Sequence, residues 1–207
     1  MYQRTEAIVL RRRNFAEADR IVTFYTRDFG KITAIAKGVR RPRSRKAGHL
    51  ELGNWCKVFV ARGRNLDLLT EVELKQSFGI ADFTEDKANR IYHLLEIVES
   101  LTPEAQRNQR VYFLLLAFLK EIQDKEDFNL ISSVFKIKIL SSLGFFSTKS
   151  LGESKTKDVI AILESENLKT IRDHVNLSAD SHLKLMSFLD SIIENLTQTK
   201  LKTAKYL

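Results

Sequence analysis

The sequence predicts an α+β chain in two parts: a five-stranded β-barrel of the OB type over residues 1–80, then an all-α helical domain over 81–207. Three observations carry this expectation. Apolar residues recur with period two as far as Phe78 and with helical period from Asp82 onward. Five strand-like runs fit into the first part, with an irregular stretch between the third and the fourth, which is the layout of a small closed barrel. The charge divides at the same place. Up to Ile80 there are 17 Lys/Arg against 8 Asp/Glu, and beyond it 17 against 18, so the first part carries +9 and the second −1 of the formal +8.

The strands are expected at residues 7–12, 20–26, 31–37, 50–62 and 66–78. Arg27-Asp28-Phe29-Gly30 joins the second to the third as a hairpin turn, with Gly30 suited to a positive φ. Along the last run Leu66, Leu68, Thr70, Val72 and Leu74 alternate with a mostly charged set, so one face is buried and the other wet. In the second part Thr84 caps a helix running to about residue 100, with Ile91, Leu94, Leu95 and Val98 inward. Thr102-Pro103 reads as a cap followed by Pro in the first turn, and so starts a second helix carrying Val111, Leu114, Leu115, Phe118 and Ile122. A third helix over 129–143 ends at Gly144, the residue type that most easily adopts the left-handed conformation past a helix C-terminus. Residues 147–158 are the most polar stretch and read as a loop; helices at 158–164, 168–174 and 181–197 follow, the last with Leu189, Ile192 and Ile193 inward.

Composition narrows the function classes. At 207 residues and 43% hydrophobic the chain can bury a sizeable core. Cys56, its one cysteine, cannot form an internal disulfide, and four scattered histidines do not complete a Cys/His zinc site with it, so no metal and no cofactor is expected. The N-terminus has a four-residue apolar run, too short for a signal peptide, and no window approaches the ~20 apolar residues of a membrane span. A soluble cytoplasmic protein is expected. No catalytic residue stands out either. Glu17 and Asp19 lie beside Arg13 and Arg20, which suits a salt-bridged turn better than a metal site, and Cys56 in a strand suits the core better than a nucleophile. The histidines show no ligand spacing, and the Gly-Lys pairs lack the spaced glycines of a phosphate-binding loop.

The strongest local signal is Lys37-Gly38-Val39-Arg40-Arg41-Pro42-Arg43-Ser44-Arg45-Lys46, six cations in ten residues with no acid, set between two expected strands. Arg forks bind phosphate bidentately and Lys acts as a point charge, so a rigidly held loop of this kind suits a nucleic-acid backbone. Neutralising about six phosphates gives a log-log salt slope on the order of −4 on single strands, roughly 300-fold in affinity between 50 and 200 mM salt. The alternative is a solvated charge run. Arg11, Arg12, Arg13, Lys31, Arg62 and Arg64 extend the track in this reading, and Phe15 and Phe29, at turns, are the candidates for base stacking, whereas Phe24, Trp55 and Phe59 suit the core.

The ordered blocks Ala7-Ile8-Val9-Leu10, Glu17-Ala18-Asp19-Arg20-Ile21-Val22, Thr26-Arg27-Asp28-Phe29-Gly30-Lys31 and Ala36-Lys37-Gly38-Val39-Arg40-Arg41 with Ser44-Arg45 resemble the N-terminal domain of the RecO family of bacterial recombination mediators. Val134-Phe135-Lys136 with Leu140 and Leu143-Gly144 resemble the family's helix ending in Leu-Gly, and Leu201-Lys202-Thr203 near the end resembles its basic C-terminal segment. The resemblance implies a non-enzymatic DNA-repair accessory protein that binds single- and double-stranded DNA, anneals complementary strands and, with RecR, helps RecA load on gaps covered by single-strand-binding protein. It places DNA contacts at Lys31, Lys37, Arg40, Arg41, Arg43, Arg45 and Lys46. It also implies that the helical part receives the acidic, apolar-ended tail of single-strand-binding protein, for which Arg110, Phe135, Lys136 and Lys138 offer a groove with a basic rim. Many members of the family carry a four-cysteine zinc element after the Leu-Gly helix end, whereas residues 145–158 here contain no cysteine. Charge and aromatics alone also admit a generic OB-type RNA-binding protein, or a scaffold whose basic barrel is incidental.

Overall fold

The computed structural model describes residues 2–78, 85–122, 128–148 and 155–206. Strands β1 (Tyr2–Phe15), β2 (Asp19–Thr26), β3 (Gly30–Ala36), β4 (Trp55–Ala61) and β5 (Asp67–Gln76) close into a barrel in the order β1-β2-β3-β5-β4. Neighbours are antiparallel except β3 and β5, which meet in parallel at Ala34 with Asp67 and Ile35 with Leu68. The five-stranded OB-type barrel expected from the period-two runs is thus present. Its interior is filled by alternate residues, among them Ala7, Val9, Val22, Phe24, Ala34, Cys56, Val58 and Leu69.

The first strand is longer than expected at both ends. Its charged half, Arg11 to Phe15, continues to pair with β2 through a bulge between Val9 and Arg11, because ladder hydrogen bonds at a barrel rim do not require apolar side chains. Opposite that bulge the Gly53 N–H donates to the Val9 carbonyl (2.9 Å) and the Val9 N–H to the Asn54 carbonyl (3.1 Å). Hence β4 begins at Trp55, after a short 3-10 turn at Gly48–Leu50, and the strand expected from residue 50 starts later.

Among the described residues six helices follow: α1 (Glu85–Leu101), α2 (Gln109–Glu121), α3 (Phe128–Ser142), α4 (Lys155–Ser165), α5 (Leu168–His174) and α6 (Ala179–Thr197). A 3-10 turn at Lys202–Tyr206 ends the described chain. The expected cap Thr84 lies outside the described residues. At Gly144 (φ 78°) the Phe145 N–H donates to the Leu140 carbonyl and the Gly144 N–H to the Ser141 carbonyl, which satisfies the last carbonyls of α3 as the glycine predicts.

Thr102-Pro103 does not start a helix. The Thr102 hydroxyl turns back to the Val98 carbonyl (2.6 Å) and closes α1 instead. The chain then runs along β3, where the Ala105 N–H donates to the Lys31 carbonyl (2.8 Å), and α2 begins at Gln109, seven residues after Thr102, capped by Asn108, whose side chain accepts from the Val111 N–H. The polar stretch is described only at its edges, and α4 already runs from Lys155 inside it.

Barrel and helices share apolar packing. Ile8, Leu10 and Tyr25 point outward from β1 and β2 and are buried in the same cluster as Leu94, Val98, Tyr112 and Leu115. This explains the run Ala7-Ile8-Val9-Leu10: β1 is buried on both faces, so alternation is lost there. No described helix is long and apolar enough to cross a membrane.

Candidate nucleic-acid interface

The basic loop leaves the barrel after β3 and is held at many points. Val39 and Leu50 are fully buried in the barrel core at either end of it. The Gly38 N–H donates to the Asp19 carboxylate (2.7 Å), and the Arg40 N–H donates to the Ala18 carbonyl (2.9 Å). The Arg40 guanidinium donates to the Glu17 carbonyl (3.2 Å), while the Lys46 ammonium donates to the Thr70 carbonyl (2.5 Å). Internal turns, from the Arg41 N–H to the Gly38 carbonyl and from the Ser44 N–H to the Arg41 carbonyl, fix the middle. Arg40 and Lys46 therefore brace the loop. Lys37, Arg41, Arg43 and Arg45 are exposed, and among the described residues no carboxylate pairs with them. A pre-shaped loop with unpaired cations loses little entropy when phosphate oxygens approach it.

Among the described residues Glu17 and Asp19 do not form the expected salt-bridged turn with Arg13 and Arg20. Asp19 instead holds the loop, and the cations at the barrel mouth, Arg12 and Arg20, share Glu51, with Arg20 at 3.8 Å. Burial outweighs that carboxylate and pulls the Arg20 pKa down, helped by Arg12 and Arg40 nearby. Glu51 was not legible as their partner, since 31 and 39 residues separate it from them and no local pattern links the three.

The remaining candidates divide between the two ends of the barrel. Phe15 is 43% exposed at the β1–β2 turn, whose Ala16 and Glu17 carbonyls touch Arg40, so it stands beside the loop together with exposed Arg13. Lys31 and Phe29 sit at the opposite end of β3, six residues and about 20 Å from Lys37. The Lys31 ammonium donates to the Glu99 carbonyl (2.7 Å), and Arg11 pairs with the Glu99 carboxylate (3.1 Å), so both lie at the seam between barrel and helices. Around Lys31 and Phe29 opens a cavity of about 510 Å³, walled by the β4–β5 turn with Arg62 and by Glu104 and Arg107. Arg107 was missed, because its segment was assigned to a helix.

The four residues named for a partner groove do not line one surface. Phe135 is fully buried, 5.1 Å from the Phe118 ring, and Lys136 is fully buried with its ammonium 2.6 Å from Asp190. Burial lowers the Lys136 pKa, against the pull of Asp190. Lys138 donates to the Glu164 and Glu166 carbonyls (2.7 Å each), closing the C-terminal end of α4. Arg110 alone is exposed, on α2. A groove of about 640 Å³ does exist in the helical part, between α3, α5 and α6, lined by Leu130, Val175, Leu177 and Met186 with Arg172 and His182. Cys56 is buried and its thiol, which donates to the His49 carbonyl (3.1 Å), is pushed up to about 12. Among the described residues no group of three His, Cys, Asp or Glu side chains could hold a metal ion.

Comparison with known proteins bears on both parts. Residues 1–78 match the family model described as recombination protein O N terminal, and residues 90–148 match recombination protein O C terminal. A DNA repair protein RecO of Symbiobacterium thermophilum is 39% identical over 143 residues, 68% of this chain and 56% of that protein. One of Pelotomaculum thermopropionicum is 34% identical over 69% of this chain and 55% of its own length. One of Chloroherpeton thalassium is 31% identical over 179 residues, 81% of this chain and 69% of that protein. The chain thus spans about half the length of the first two relatives. With an OB-type barrel under one family model, α1 to α3 under the other, and identity carried across both, this chain belongs to the recombination protein O (RecO) family.

Proposed function

We propose that this protein is a non-enzymatic accessory factor of DNA repair and recombination that binds DNA through the basic loop and anneals complementary strands. The observation that carries this reading is the loop itself: Lys37, Arg41, Arg43 and Arg45 are exposed, without carboxylate partners among the described residues, on a backbone pinned by Val39, Asp19 and Leu50, beside exposed Phe15. Charge neutralisation by such a loop lowers the repulsion between two backbones, which is what slows annealing. Phe15 adds a stacking platform for an unpaired base.

The 1–80 and 81–207 division separates the roles in this reading, DNA in the barrel and protein partners in the helices. The partners follow from family membership: RecR, the tail of single-strand-binding protein and, through them, RecA, in the cytoplasm at the nucleoid. An acidic tail with an apolar end matches the groove between α3, α5 and α6, where apolar walls meet Arg172 and His182, better than it matches the buried Phe135 and Lys136.

The test is a salt series. Binding of a fluorescent single-stranded oligonucleotide should show a steep log-log salt slope, and replacing Arg41, Arg43 and Arg45 together by Ala should flatten it by about 2 units, at roughly 0.7 per phosphate contact. Annealing of complementary oligonucleotides should slow in the same variant. An unchanged slope would remove the loop from the DNA interface.

A further inference from the structure

The end of the barrel remote from the basic loop carries a second run of cations, continuous with the exposed face of α2. It can be followed from contact to contact. Arg107, at the cavity wall, acts electrostatically on Asp28, which holds Arg27 at 3.3 Å. Arg27 reaches Glu6 at 3.6 Å, and Glu6 pairs with Lys75. The Lys75 ammonium lies 4.7 Å from the centre of the Trp55 ring, and the Lys120 ammonium of α2 lies 5.2 Å from the same ring. Trp55 donates to the Tyr112 hydroxyl (2.9 Å), and the Tyr112 ring meets Phe113 edge-on at 5.3 Å.

On α2 the positions 110, 113, 117 and 120 fall on one helical face, and Arg110, Phe113, Ala117 and Lys120 are all exposed there. Phe113 is 54% exposed, a large aromatic ring standing in water between two cations. Glu6 and Asp28 are each engaged by a cation, and Glu104 and Asp67 line the cavity beside Arg107, so the positive charge of the run is concentrated at Arg110 and Lys120 on α2. Glu71 and Glu73, on the same face of β5 as Lys75, bound the run.

We propose that this face, from the cavity by Arg107 to Phe113 and Lys120, is a second binding site for single-stranded nucleic acid. Cations along a track with an exposed aromatic among them hold the backbone electrostatically and give an unpaired base a surface to stack on; a duplex, whose bases are already stacked, leaves the ring unused. The inference rests on the reading of the protein as a DNA-annealing factor and extends it. With the loop at one end of the barrel and this track at the other, one molecule holds two strands at once, and annealing needs no second protomer to bring them together.

Trp55, the one tryptophan of the chain, sits beneath the Lys75 and Lys120 ammonium groups of the track and reports on it. The experiment titrates an oligothymidylate into the full chain at low salt, following Trp55 emission and the anisotropy of the labelled oligonucleotide in parallel. The expected result is quenching of Trp55 with two strands bound per chain. R110A/F113A, which leaves Lys75 and Lys120 over the reporter, should weaken the Trp55 response at least about fivefold. R41A/R43A/R45A should leave that response in place and reduce the anisotropy change. Loop-dependent binding with a silent Trp55 overturns the track and spares the loop. A Trp55 response untouched by R110A/F113A, or one produced by polyglutamate and not by the oligonucleotide, also overturns it. A Trp55 response together with an anisotropy change that R41A/R43A/R45A leaves undiminished overturns the loop reading alone.

Discussion

His93 is buried on α1 with both ring nitrogens engaged, Nδ1 with the Thr203 hydroxyl (2.8 Å) and Nε2 with the Ser132 hydroxyl (3.1 Å). Burial, and then the nearby Lys136 charge, lower its pKa from 6.5 to about 3. Between those values the unfolded chain binds a proton that the native chain does not, so stability is full above about pH 6.5 and falls as the pH drops toward 3, by up to about 1.4 kcal/mol per pH unit. H93Q, which keeps a polar group in the cluster without the titration, should lose that slope: urea unfolding at pH 7.5, 5.5 and 4.5 should diverge less for the variant than for the parent chain. Equal slopes would mean that His93 is protonated in the fold. None of this burial was legible in the sequence. Lys136 stands in Ser-Val-Phe-Lys-Ile-Lys-Ile, where a lysine ordinarily marks the wet face, but α3 packs against α1, α2, α4 and α6 and has almost no wet face at that level. The exposed loop arginines were legible because six cations without an acid can hardly be buried, whatever the fold.

The segment between α1 and α2 shows why element ends were read less well than elements. A Thr-Pro pair is a sound helix start when the backbone beyond it is free to coil, but here that backbone is needed by β3, and tertiary hydrogen bonds from Ala105 to Lys31 and from Thr33 to Glu104 override the local signal. Gly30 is the other half of this arrangement. It has φ +71°, and a Cβ there would lie 2.0 Å from the Gln106 carbonyl oxygen. Gly144 has a similar φ of +78° with nothing within 4 Å of where a Cβ would stand. Both substitutions by Ala incur the left-handed penalty of about 1–2 kcal/mol, but only Gly30→Ala must also push residues 104–107 off β3. Thermal melts should therefore place Gly30→Ala well below Gly144→Ala, by more than the roughly 2–4 °C that each kcal/mol is worth in a chain of this size. Equal melting temperatures would show that the segment is not held against the barrel. The period-two and helical runs were legible because burial of one face imposes them; the irregular segment, which obeys neither period, was not.

At the scale of the whole molecule, the described strands end at Gln76 and the described helices begin at Glu85, and the packing crosses that change of architecture. Ile8, Leu10 and Tyr25 leave the barrel and enter the helical cluster, Phe78 joins them, and Trp55 hydrogen-bonds to Tyr112. Burying side chains of this kind contributes roughly 1.5–3 kcal/mol each. Four of them together rival the ~5–15 kcal/mol by which a whole domain is stable. The two parts should therefore unfold together. Helical circular dichroism, which reports on α1 to α6, and Trp55 fluorescence, which reports on β4, should give one coincident denaturant transition for the full chain. A fragment of residues 1–80 should melt at lower temperature and bind a hydrophobic dye through the uncovered face of β1 and β2. Two separate transitions, or a fragment as stable as the parent chain, would show that the barrel stands alone. The outcome bears on function as well. If the barrel is held by the helices, a ligand that shifts α1 or α2 also shifts Arg11, Lys31 and the seam at Glu99, and the ends of the barrel are then mechanically coupled to whatever the helices bind.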